Sequence, residues 1–107
     1  MKVYNKLVRD KIPEIIEQDG KSCQTRILDD EEYLVALKQK LIEEANELLH
    51  APTMEKTIEE LADIYEVLHF VMKTENIKMP DIEAIRIHKN RDRGAFQKKV
   101  FLTSVDE

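Results

Sequence analysis

The sequence predicts an all-α fold of about four helices, arranged around a central antiparallel helix hairpin. Two Gly and three Pro in 107 residues are too few turn formers for a sheet-rich chain. Apolar residues recur at three- and four-residue spacing through two long stretches, which is the helical period. Asp29 stands where a cap is needed before the first of them, and Pro52 follows it.

The first helix is expected from Asp10 to Asp19. Asp10 caps it, Pro13 lies in its first turn, Gly20 stops it, and Ile12, Ile15 and Ile16 give it an apolar side. Ser22 to Leu28 reads as a short extended stretch. The second helix runs from Asp30 to His50, opened by the capping-box spacing of Asp29 and Glu32. Its stripe is Leu34, Leu37, Leu41, Ala45 and Leu48, flanked by Ile42 and Leu49. Ala51-Pro52-Thr53 breaks it, and the third helix follows from Met54 to Thr74. The stripe of that helix is Ile58, Leu61, Ile64, Tyr65, Leu68, Val71 and Met72. The fourth helix is expected from Asp81 to Arg93, between Pro80 and Gly94, with an extended tail over Phe96 to Leu102.

No repeat, low-complexity stretch or linker interrupts the chain, so residues 1–107 read as one domain. Hydrophobic residues at 42% suit a packed core, and charged residues at 36% leave a highly charged surface. The net charge of −5, from 22 acids and 17 bases, argues against a nucleic-acid polymer as partner. Aromatics at 6% with no Trp offer few stacking platforms for single strands. No membrane span or signal peptide is read, and the lone Cys23 forms no internal disulfide. These features predict a cytoplasmic protein.

The second helix carries Glu43, Glu44 and Glu47, and the third carries Glu59, Glu60 and Asp63. Acids three apart share a helix face. On a helical wheel Glu44 and Glu47 lie roughly 80° and 140° from their stripe centre, and Glu60 and Asp63 roughly 90° and 150° from theirs, in the same rotational sense. Antiparallel packing then brings the two acid edges together, with Glu44 level with Asp63 and Glu47 level with Glu60. Four carboxylates in one patch repel by about 1 kcal/mol or more per close pair. A hard cation relieves that repulsion, and Mg²⁺ takes carboxylate oxygens while keeping positions open for phosphate. The competing reading is a solvated acidic surface. Thr57 and Glu60 also have capping-box spacing, which would make Glu60 a mere cap.

Along the fourth helix Ile82, Ile85, Arg86, Lys89 and Arg93 form a stripe that begins apolar and ends basic. It turns Lys89 and Arg93 toward the protein, four residues apart and able to grip adjacent phosphates. Lys6, Arg9 and Lys11 flank the start of the first helix, where anions are also favoured. Glu47 with His50 and Glu66 with His69 fit the Glu-x-x-His spacing of di-iron bundles, but Glu47 and Glu66 fall on opposite edges of their stripes. His88 has no evident partner.

Three segments carry a family resemblance. They are Tyr4-Asn5-Lys6-Leu7-Val8-Arg9-Asp10-Lys11-Ile12-Pro13, then Glu44-Ala45-Asn46-Glu47 with Glu60-Leu61-Ala62-Asp63, then Lys89-Asn90-Arg91-Asp92-Arg93-Gly94-Ala95-Phe96. Together they resemble the phosphoribosyl-ATP pyrophosphohydrolase-like branch of the MazG-like all-α nucleoside triphosphate pyrophosphatases. The second segment is similar to the family's Glu-x-x-Glu … Glu-x-x-Asp magnesium motif. The third is similar to its Lys-x-x-x-Arg-Gly-Gly-Phe signature, with Ala95 in place of the second Gly. The resemblance implies Mg²⁺ held by Glu44, Glu47, Glu60 and Asp63. It implies hydrolysis between the α and β phosphates of a nucleotide, to a nucleoside monophosphate and pyrophosphate. It also implies a homodimer or higher homo-oligomer that completes the helical bundle.

On this reading Glu47 handles the proton of the attacking water. Lys89 and Arg93, with Lys6 and Arg9, meet the phosphate charge. Removal of non-standard nucleotides would be its use. The alternative is a non-catalytic helical dimerisation or regulatory module with an acidic surface patch.

Overall fold

The computed structural model describes residues 2–106, so Met1 and Glu107 lie outside the described residues. It is all-helical: α1 (Ile12–Gln18), α2 (Asp30–Leu49), α3 (Met54–Thr74) and α4 (Met79–Arg93), with no strand among the described residues. The backbone separates into two compact units, Met1–Glu75 and Asn76–Glu107.

In the first unit, α1 begins two residues later than expected, and Lys11 rather than Asp10 stands at its N-cap. A cap at Asp10 would need the N–H of Ile12 or Pro13. Ile12 donates instead to the Arg9 carbonyl at 3.0 Å, and proline has no N–H. The other end is as read. Gly20 takes φ +83°, its N–H reaches the Glu17 carbonyl at 3.0 Å, and the Lys21 N–H reaches the Ile16 carbonyl at 3.2 Å. That pair of bonds is a Schellman closure. Residues 21–29 are irregular and lead to the Asp29 cap of α2, where the Glu32 N–H donates to Asp29 Oδ1 at 2.8 Å. The Arg26 guanidinium forks onto the same Glu32 carboxylate at 3.2 and 3.0 Å.

Four residues, 50–53, join α2 to α3, and the two helices pack against each other. So short a connection leaves only an antiparallel arrangement. Thr53 caps α3 by accepting from the Lys56 N–H at 3.1 Å. Thr57 lies inside the helix, its hydroxyl donating to the Thr53 carbonyl at 3.0 Å. Thr57 is therefore no cap, and Glu60 is not tied down as the partner of one.

The packed face of α2 is largely the stripe read in the sequence, and that of α3 is shifted from it. On α2 the covered positions are Leu34, Leu37, Leu41, Glu44 and Leu48, with Ala45 exposed. On α3 Ile64, Val71 and Met72 of the expected stripe are covered, joined by Thr57, Glu60, Asp63, Val67 and Phe70, while Ile58, Leu61, Tyr65 and Leu68 lie outside. Leu37 and Val67 are the buried apolar residues of this seam. α3 carries apolar residues on two sides, and the hairpin closes on the side that includes Glu60.

In the second unit, α4 starts at Met79, with Pro80 in its first turn and the Lys78 N–H donating to Asp81 at 3.1 Å. It ends at Gly94, at φ +82°. The tail expected to be extended instead begins with a bend at Phe96 and a turn at Gln97 and Lys98, with Lys99 at φ +60°. No described helix is long and apolar enough to cross a membrane.

Candidate metal centre

Glu44, Glu47 and Glu60 meet in the α2–α3 seam. Each offers one carboxylate oxygen, and these oxygens lie within 4.8 Å of one another. Glu44 is drawn in furthest, because it continues the covered row Leu37–Leu41–Leu48. Its side chain is only 7% exposed. Glu44 Oε1 has Lys40 Nζ at 3.6 Å, but Oε2 is buried with no hydrogen-bond partner, and so is Glu60 Oε2. Two orphaned carboxylate oxygens in one seam are unfavourable for the protein alone.

The electrostatics follow from that crowding. Burial, then contact with the Glu60 and Glu47 carboxylates, pushes the Glu44 carboxyl up to about 7. The fields of Glu47 and Asp63 act in the same direction. Glu60 is also raised, by burial first and then by Glu47 and Asp63, against an opposing effect of Glu44. Oxygen-only donors, clustered and short of partners, suit a hard divalent cation such as Mg²⁺.

Glu47 and Glu60 come together as expected. Glu44 meets Glu60, not Asp63. Asp63 is near enough to influence both, but its Oδ1 accepts from Arg9 Nη2 at 2.7 Å. Three of the four expected acids are therefore together, and a guanidinium holds the fourth. Arg9 is raised above its ordinary value by that bond, and the fields of Glu66 and Glu44 add to it. Lys6 also comes to this region, donating to Glu43 at 3.0 Å. Lys40 donates to the other oxygen of Glu43 at 3.2 Å. Burial pushes Glu43 up, but these two bonds outweigh it and hold the carboxyl below its usual range.

Lys40 is a residue that the sequence reading passed over, and Glu43 was named there only as one of the α2 acids. Their three-residue spacing, with Glu44 one further, was the available signal. The histidines take no part in the cluster. His50 Nδ1 lies 2.9 Å from the Asn46 carbonyl, and His69 packs edge-on to Phe70. His88, read as unpartnered, has Asp92 at 2.9 Å.

In the second unit, α4 has no buried residue, and Lys89 and Arg93 are exposed within it. No second helix lies within that unit to cover the stripe. Lys89 and Arg86 border an open groove with Ile77, Ile82 and Ile85 along it. Arg86 is occupied by Glu83, at 3.0 and 2.9 Å.

No family model matches the chain. No solved structure matches it either. It is similar to a protein of Mycolicibacterium smegmatis (strain ATCC 700084 / mc(2)155) described as uncharacterized, with 47% identity over 53 residues. That stretch is 50% of this chain and 54% of the relative, so the chain spans about half the length of the relative it matches.

Proposed function

We propose that this protein is a magnesium-dependent nucleotide pyrophosphohydrolase of the MazG-like kind, cleaving between the α and β phosphates. The observation that carries the reading is the buried, unpartnered oxygen of Glu44 beside Glu60 and Glu47. A solvated acidic surface would have water at every carboxylate and would not draw one of them into the helix seam.

Glu44, Glu47 and Glu60 would hold the cation, with Asp63 joining them when Arg9 lets go. Bound there, Mg²⁺ supplies charge neutralisation for the phosphates and makes water a better nucleophile near neutral pH. Glu47 is the most exposed of the three clustered acids and is suited to accept a proton from the attacking water. Arg9 is suited to pair with phosphate oxygens through its planar fork, and Lys6 adds a second positive charge on the same segment. The family resemblance gives Lys89 and Arg93 the charge of the leaving pyrophosphate. A cytoplasmic setting and the removal of non-standard nucleotides fit this chemistry.

The apolar positions left outside the seam favour assembly. Ile58, Leu61, Tyr65 and Leu68 on α3 are 41–68% exposed, and Val35, Ile42 and Leu49 on α2 are also exposed. Two helix faces of this kind are what a second copy would cover in a four-helix bundle. The same faces favour the second reading, a dimerisation or regulatory module without catalysis.

A pyrophosphate-release screen over standard and modified nucleoside triphosphates, with and without Mg²⁺, separates the two. The expected result is Mg²⁺-dependent release that Glu47→Gln and Asp63→Asn each reduce by at least about a hundredfold. Undiminished release in both variants sinks the assignment of the acids, and silence on every substrate supports the module.

A further inference from the structure

We propose that Arg9 is an exchangeable counter-ion of the acid cluster: it holds Asp63 while no divalent cation is bound, and it turns to a phosphate group when cation and nucleotide enter. The inference rests on the metal-site reading above and concerns how that site is kept when empty.

Arg9 makes one contact on Asp63, Nη2 to Oδ1 at 2.7 Å, not a two-point fork. The remaining guanidinium N–H groups are free for a second anion. The side chain is 57% exposed, so it can turn without disturbing packing. An exposed pair of this sort is weak enough for a divalent cation to displace. Asp63 is also the one expected acid missing from the cluster of free carboxylates.

The segment bearing Arg9 has a separate anchor. Lys6 is bonded to Glu43, which lies outside the cluster and is fixed from its other side by Lys40. The Tyr4 ring lies under the Lys2 and Lys6 ammonium groups, at 5.1 and 5.6 Å. Asn5 turns the chain between them, at φ +47°, a conformation that Asn tolerates. Release of Arg9 from Asp63 therefore leaves it tethered beside the site.

The test uses metal-free full-length protein and calorimetric titration with Mg²⁺ alone. Arg9→Ala should bind Mg²⁺ about fivefold more tightly than wild type, the fold-change that matches an exposed ion pair. With Mg²⁺ present, the same variant should bind inorganic pyrophosphate several-fold more weakly. Lys56→Ala is the charge control. Lys56 pairs with Glu59 at 3.1 Å and feels Glu60 but touches no cluster acid, so its removal should change Mg²⁺ affinity much less. Amide hydrogen exchange over residues 7–11 should rise in wild type when Mg²⁺ is added.

Equal or weaker Mg²⁺ binding by Arg9→Ala overturns the exchange, and so does equal tightening by Lys56→Ala. In either case Mg²⁺ binding by wild type that is lost in Glu44→Gln leaves the metal site standing. Binding by Arg9→Ala where wild type is silent supports the exchange in its strongest form. Silence in both proteins removes the metal site and the exchange together.

Discussion

Glu44 and Glu60 face each other across the α2–α3 seam, and each keeps one carboxylate oxygen that no protein group partners. Two like charges at close range in a partly covered seam oppose folding by about 1 kcal/mol or more. Glu44→Gln removes one of them and supplies an amide N–H₂ that can donate to the orphaned Glu60 oxygen. The variant should melt about 5 °C above wild type at pH 8 without metal, the shift that about 1 kcal/mol produces in a chain this size. Mg²⁺ should raise the melting temperature of wild type by linkage and leave the variant unmoved. Scanning fluorimetry of both proteins, with and without Mg²⁺, decides it.

The same carboxyl sets a pH dependence. Glu44 has its folded pKa raised to about 7, against an ordinary value of 4.5. Between those two values the folded chain keeps a proton that the unfolded chain has lost. Stability of the metal-free protein should therefore fall as pH rises from 4.5 to 7 and level off above that. Mg²⁺ needs the deprotonated group, so its affinity should climb over the upper part of the same window. Urea midpoints taken across pH 4.5 to 8 test the first statement, and a flat profile in wild type would count against it. Glu44→Gln should flatten the slope.

Most of the fold is legible because its signals are local. Asp29 with Glu32, Thr53 ahead of Met54, and Gly20 and Gly94 after their helices each fix a boundary through bonds spanning a few residues. The Asp10 cap failed for an equally local reason: Pro13 sits where a donor was needed. What the periodicity misplaced was the packed face of α3. Leu61, Tyr65 and Leu68 are more apolar than Thr57, Glu60 and Asp63, so a wheel centred on hydrophobicity turns α3 partly away from its contact with α2. α2 has one leucine row and its face was legible, whereas α3 offers two apolar sides to one partner helix. The acid set was readable from spacing, whereas the Arg9–Asp63 pair spans 54 residues and has no local signature.

Gly20 offers a test of the loop that follows α1. It holds φ +83°, and a Cβ added there would meet nothing within 4 Å. The cost of Gly20→Ala is then backbone strain alone, about 1 kcal/mol. Gly20→Asn should cost less, because Asn enters the left-handed region more readily. Chemical denaturation of both variants should show midpoints in the order Gly, Asn, Ala. An Ala variant as stable as wild type would mean that the Schellman closure does not persist in solution.

The hairpin seam and the outer face of α3 predict different outcomes when substituted. Leu37 is 3% exposed and packs in the hairpin seam, so Leu37→Ala should destabilise the fold by about 2–5 kcal/mol whatever the protein concentration. Leu61 is 49% exposed on the outer face. If a second copy covers that face, Leu61→Lys buries an unpaired ammonium in the assembly and dissociates it. The hairpin itself is untouched, because Leu61 makes no part of its seam. Sedimentation velocity should give an oligomer for wild type and a lighter species for Leu61→Lys, with helical circular dichroism retained by the variant at high concentration. The melting temperature of wild type should also rise with protein concentration, as it does when assembly is linked to folding. A wild-type chain that sediments as a monomer and melts independently of concentration would sink this account and leave the outer stripe for some other partner.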